Sequence, residues 1–168
     1  MKCFNLSFIF TILVFGSLSC KKDNTTDFPL TFKLQTANSS GMVTTSFSKT
    51  DTIHFQLIIS NTTNRDVNLN NFMPDLICNP KSNLFRAYSA TGADMGRPCI
   101  STNCTDIGLI VIKAGSTQTI DYPRPSAGIA CNTVSLTSGT YNTGLSYAFT
   151  ISNATSNQAL KTSFSVNN

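Results

Sequence analysis

No glutamate and no tryptophan occur in this 168-residue chain, and histidine occurs once, as His54. Charged residues make up only 12% of the sequence, with eight acids, all aspartate, against twelve lysines and arginines. Eight scattered aspartates offer no recognisable pair for glycoside hydrolysis, which needs two carboxyl groups flanking the scissile bond. His54 falls on the polar face of a strand pattern, a solvated position without the nucleophile and orienting acid that catalysis requires. Neither Gly-x-Ser-x-Gly nor His-Glu-x-x-His occurs. Calcium loops of the Asp-x-Asp-x-Asp type and glycine-rich phosphate loops are missing too. These absences predict a protein that is not an enzyme and takes no cofactor and no metal. The formal charge of +4 is small and evenly spread, which argues against a nucleic-acid partner.

Helical periodicity is also lacking. From Cys20 onward the chain holds 17 Ser, 22 Thr and 16 Asn. Ser and Asn compete for backbone hydrogen bonds and disfavour helix interiors, while Thr is β-branched and favours strands. Period-two alternation takes the place of the helical pattern. Leu30, Phe32 and Leu34 alternate with polar residues, as do Ile53, Phe55, Leu57 and Ile59. Tyr141, Leu145, Tyr147, Phe149 and Ile151 share one face of a long strand, and Leu160, Phe164 and Val166 repeat the scheme. Shorter strands are expected over 67–72, 84–90 and 117–122. The apolar run 107–112 reads as a central strand covered on both faces. Asn- and Gly-rich turns separate these runs, at 38–41, 61–64, 91–94, 114–116 and 138–139. Together they predict an all-β, immunoglobulin-like two-sheet β-sandwich of seven to nine strands, occupying 29–168. The Cys…Trp…Cys signature of true immunoglobulin domains is absent.

The first nineteen residues read as an address. Lys2 precedes the apolar stretch Leu6 to Phe15, and the small residues Gly16-Ser17-Leu18-Ser19 lead to Cys20, the layout of a signal peptide. The stretch is shorter than the roughly 20 residues of a bilayer-spanning helix. Ser17-Leu18-Ser19-Cys20, followed by Lys21-Lys22-Asp23, resembles a bacterial lipoprotein signal. That resemblance implies cleavage before Cys20, lipidation of Cys20 and attachment to the outer membrane, facing the periplasm or the cell surface. Residues 20–28 then form the lipidated cysteine and a short tether.

Four cysteines remain in the exported part: Cys78, Cys99, Cys104 and Cys131. An even number of thiols in an oxidising compartment implies two disulfides, for which three connectivities exist. An up-and-down trace favours a bridge between the 91–106 and 123–138 loops. The second then joins Cys78 to a long loop, and a local Cys99–Cys104 bridge stays open. These braced loops carry Arg97, Ile100, Tyr122, Arg124 and Ile129, the candidate contacts for a protein partner of a monomeric domain.

The order of the segments from Phe55 to Leu69, Leu84 to Gly92, Ile112 to Thr117 and Leu136 to Tyr141 resembles the BsuPI-like proteinase-inhibitor domains. The resemblance covers roughly Ile53 to Ile151 and departs from the pattern in its four cysteines and a longer insert at 72–83. It implies an immunoglobulin-like sandwich, and protease inhibition as an alternative to a non-catalytic binding module. A structural envelope protein is the third expectation.

Overall fold

The computed structural model describes residues 28–69, 83–97, 99–101, 110–122, 129–131, 136–152 and 154–168, with the backbone alone described at 99–101 and 129–131. Twelve strands and no helix occur among them. They are β1 (Leu30–Ala37), β2 (Ser46–Ser48), β3 (His54–Asn61), β4 (Val67–Asn68), β5 (Ala87–Ser89) and β6 (Asp94–Gly96). The chain continues with β7 (Cys99–Ser101), β8 (Val111–Ile112), β9 (Thr117–Tyr122), β10 (Ile129–Cys131), β11 (Gly139–Ile151) and β12 (Ala154–Asn167). The count exceeds the seven to nine expected because seven of the twelve are two or three residues long, too short to leave a period in the sequence.

Two larger sheets carry the fold. One is antiparallel, in the order β1-β3-β9; the other runs β2-β12-β11-β5-β6. β4 pairs with β8, and β7 with β10, as separate two-stranded sheets. Alternation turns Leu34, Phe55, Leu57, Ile59 and Ile120 of the first sheet inward. Tyr141, Leu145, Phe149, Phe164 and Val166 of the second meet them across a shared core. Phe164 meets Phe55 edge-on at 5.8 Å, and Phe149 stacks on Phe32 at 4.0 Å. Phe28, the last tether residue of the sequence assignment, packs beside Phe32 against the same core.

The chain crosses from one sheet to the other between β1 and β2. β1 pairs with β3, and after a turn β2 pairs parallel with β12. Asn38 builds that turn: its Oδ1 accepts from Ser40 N at 3.1 Å, Ser40 Oγ at 2.7 Å and Met42 N at 2.9 Å. Gly41 sits there at φ 81°, a conformation a Cβ opposes. Tyr141 lies two residues into β11, and its hydroxyl donates to the Thr137 carbonyl at 2.7 Å. A tyrosine near the start of a strand, bonded back to the chain a few residues upstream, is a recurring tie in β-sandwiches.

Three strand expectations differ from the structure. Within the 107–112 run, only Val111–Ile112 forms a strand among the described residues; it pairs with β4 alone, and Val111 is 36% exposed. It is half-covered because a two-stranded sheet offers one face to water. Of 67–72, only Val67–Asn68 is a strand, and 70–72 lies outside the described residues. In 84–90 the strand is delayed to Ala87, because Phe85 turns at φ 59°. That left-handed geometry is costly for a bulky residue. It buries the Phe85 ring against Tyr122, stacked at 5.0 Å, and against Phe55 at 6.2 Å.

Candidate functional site

Alternation along β11 and β12 leaves Asn142, Gly144, Ser146, Ala159 and Lys161 on the face away from the core. These residues floor a cleft of about 490 Å³, walled by Tyr88, Ser89, Ala90 and Gly92 and reached by Asn83. Gly144 makes it possible. A Cβ there would sit 2.9 Å from the Leu160 carbonyl oxygen, so glycine is required mid-strand and leaves the floor open. Neutral amides and hydroxyls share the lining with apolar residues such as Leu145, Ala159 and Leu160, beside one cation, Lys161, and one aromatic ring, Tyr88. Burial, and next the Asp94 charge, push the Tyr88 phenol pKa up, so the ring stays a neutral hydrogen-bonding group. Asp94 itself is held below the usual carboxylate range, first by the Arg86 guanidinium, which bonds it at 2.8 Å.

The strand edge beside the cleft is a second feature of the same place. β5 pairs with β11 only at Tyr141 and Asn142. No described strand covers the β5 side of β11 beyond them. Ser146 N points to that side, where Asn83 Oδ1 accepts from it at 3.4 Å, the long limit for such a bond. Because strand backbone groups alternate in direction, Gly144 and Ala148 present their N–H and C=O to the same side. Thr143 also lines the cleft, and its buried Oγ1 has no hydrogen-bond partner among the described residues.

The sequence pointed elsewhere, to the end loops. Tyr122 does not belong to a loop surface: it ends β9, is 2% exposed and stacks on Phe85. Its alternating position with Ile120 places it on the core face. Arg97 is half-buried, donates through Nε to the Leu84 carbonyl at 3.2 Å, and has its pKa lowered chiefly by burial. Ile100 and Ile129 lie in β7 and β10, a ribbon where loops were expected. Its register pairs Cys131 with Cys99, Ala130 with Ile100 and Ile129 with Ser101. Residues 1–19, expected as a signal peptide, and Cys20, Cys78, Cys104 and Arg124 lie outside the described residues.

His54 is not a solvated strand histidine. Its Nδ1 lies 3.0 Å from Asp121 Oδ2, and its side chain is 15% exposed. Gln35 and Gln56 are bonded to each other across β1 and β3 at 2.9 Å, on the same outer face. Among the described residues, no cluster of three or more His, Cys, Asp or Glu side chains stands ready to hold a metal ion. No described helix is long and apolar enough to cross a membrane.

The cleft was missed by sequence reasoning. Its one legible signal was Gly144 within an otherwise regular strand, since a mid-strand glycine marks a close approach of backbone. Compared with known families, curated proteins and solved structures, the chain matches none.

Proposed function

We propose that the chain is a non-catalytic protein-binding module, lipid-anchored at the cell envelope through Cys20 and built as an immunoglobulin-like sandwich with two disulfides. Its binding site is the cleft, where an extended segment of a partner protein adds alongside β11. The single observation that carries this reading is the β11 edge that no described strand covers after Asn142, where Ser146 N makes, among the described residues, a long bond to the Asn83 side chain. An incoming strand replaces Asn83 Oδ1 with a backbone carbonyl and gains the neighbouring edge groups, the mode of strand addition. The immunoglobulin-like reading is supported by the passage of the chain from one sheet to the other between β1 and β2 and by the Tyr141 hydroxyl bonded back to Thr137. β1 starts at Leu30, at the end of its sheet away from the 38–43 turn. An anchor at Cys20 therefore joins the domain at the Leu30 end.

Photo-crosslinking in the intact envelope tests the site. A benzophenone side chain at Asn142 or Ser146 should capture a protein, and one at Lys33, on the outer face of the other sheet, should not. Filling the floor by Ala159→Arg should weaken capture by about tenfold without moving the melting temperature, because Ala159 is exposed. Equal capture from Lys33, or none from the cleft, overturns the site. Capture from the 123–128 segment with inhibition of a protease would favour the inhibitor alternative instead.

Anchoring has its own test. Cys20→Ala should abolish fatty-acid labelling and move the chain from the membrane to the soluble fraction. Unchanged labelling and partition would remove the lipid from the reading.

A further inference from the structure

We infer that Cys99 and Cys131 are the cysteines joined to each other, which leaves Cys78 and Cys104 as the second pair. The inference rests on the reading of an exported domain, and goes beyond it by selecting one connectivity of three.

The register carries it. β7 and β10 run antiparallel, and Cys131 stands opposite Cys99 as its Cα partner. Facing residues in an antiparallel pair have Cα atoms about 4.5 to 5.5 Å apart, depending on the type of pair. Disulfides span Cα separations of about 4.4 to 6.8 Å. Backbone placement alone thus brings these two cysteines within bridging range. Cys99 runs on in strand through Ser101, away from Cys131, before the chain reaches Cys104. A local Cys99–Cys104 bridge would need the chain to double back at once onto a position already faced by another cysteine.

The ribbon itself needs such a tie. It holds three residue pairs and joins neither of the larger sheets. An isolated two-stranded ribbon is marginal in water. A covalent link between segments distant in sequence removes far more freedom from the unfolded chain than a local one.

Formation follows thiol–disulfide exchange. A donor disulfide, of the small-molecule or oxidase class found in oxidising compartments, is attacked by one cysteine thiolate and forms a mixed disulfide. The second thiolate displaces the donor sulfur, and the S–S bond closes. The two protein thiols lose two electrons and two protons, and the donor leaves as two thiols.

Peptide mapping of the full exported chain tests the pairing. Free thiols are blocked, the protein is digested with pepsin without reduction, and linked peptides are sequenced by electron-transfer fragmentation. The expected product joins the Cys99 and Cys131 peptides. In a Cys99→Ser chain, alkylation should appear at Cys131 alone, with Cys78 and Cys104 still protected. A Cys99–Cys104 or Cys78–Cys99 product overturns the pairing and leaves the export reading standing. Free thiols at all four positions overturn both. The wild-type map decides even where the serine variant fails to fold.

Discussion

Replacing Phe164 with alanine should cost about 3 to 5 kcal/mol of folding stability, the usual range for a large aromatic removed from a packed core. Phe164 is 2% exposed and sits where four strands converge. Its ring meets Phe55 of β3 at 5.8 Å, Phe47 of β2 at 6.1 Å and Tyr141 of β11 at 5.6 Å. The first of these contacts joins the two sheets; the second holds the short parallel strand. Truncation therefore leaves a cavity whose walls come from different layers, with no single neighbour able to collapse into it. Domain stabilities are about 5 to 15 kcal/mol, so the variant should retain only a fraction of its reserve. Urea titration should show a lower midpoint with an unchanged slope. Met42→Ala serves as the control: that side chain is 65% exposed, and its loss should stay within about 0.5 kcal/mol. Equal midpoints for the two variants would mean that the sheets are not held together at Phe164.

What the sequence made legible follows from burial. Long strands with one covered face print a period of two, so β1, β3, β9, β11 and the end of β12 were readable from Leu34, Phe55, Ile120, Tyr141 and Phe164. Short elements print nothing. The ribbon of β7 and β10 has three residues on each side, and its partners are distant in sequence. Phe85 reads as an ordinary strand residue, yet it turns at φ 59° because its ring has a stacking partner in Tyr122. Tyr122 itself, flanked by Pro123, looked like part of an exposed loop. Its inward face was set by β9 pairing with β3, where it stands opposite Phe55. His54 was read alone, since Asp121 is distant in sequence and only the pairing of β3 with β9 brings it within 3.0 Å. The cleft escaped for the same reason. No residue in it is chemically unusual, and only the early end of β5 sets its walls beside a β11 edge that no described strand covers.

Asn61 is the polar counterpart of Phe164, and Asn61→Ala should cost about 2 to 4 kcal/mol, since each orphaned buried partner is worth about 1 to 3. The residue ends β3 and is 2% exposed. Its Nδ2 faces the carbonyls of Arg65 at 2.6 Å, Ile112 at 3.1 Å and Lys113 at 3.2 Å. Its Oδ1 accepts from Thr63 N at 3.0 Å and Thr63 Oγ1 at 2.8 Å. One amide thus holds the 62–66 turn closed and ties it to β8 and to the turn leading into β9. Lys113 and the Ala114 amide bind Asp66 in that same junction and hold its carboxyl below the usual range, Lys113 foremost. Alanine leaves the Ile112 carbonyl without this donor in a dry position. Aspartate is the sharper probe, because it keeps the acceptor and replaces the donor with a charge aimed at three carbonyl oxygens. Burial and those oxygens raise the folded-state pKa of the new carboxyl above its unfolded value of about 3.9. The protonated acid donates as the amide did. Asn61→Asp should therefore be nearest to wild type below that unfolded value, and lose stability as pH rises through the raised folded value. Wild type and Asn61→Ala lack that titrating group. Chemical denaturation of the three chains between acid and neutral pH reads the difference directly. A parallel pH response in all three would show that the Asn61 amide is not the donor on which this junction depends.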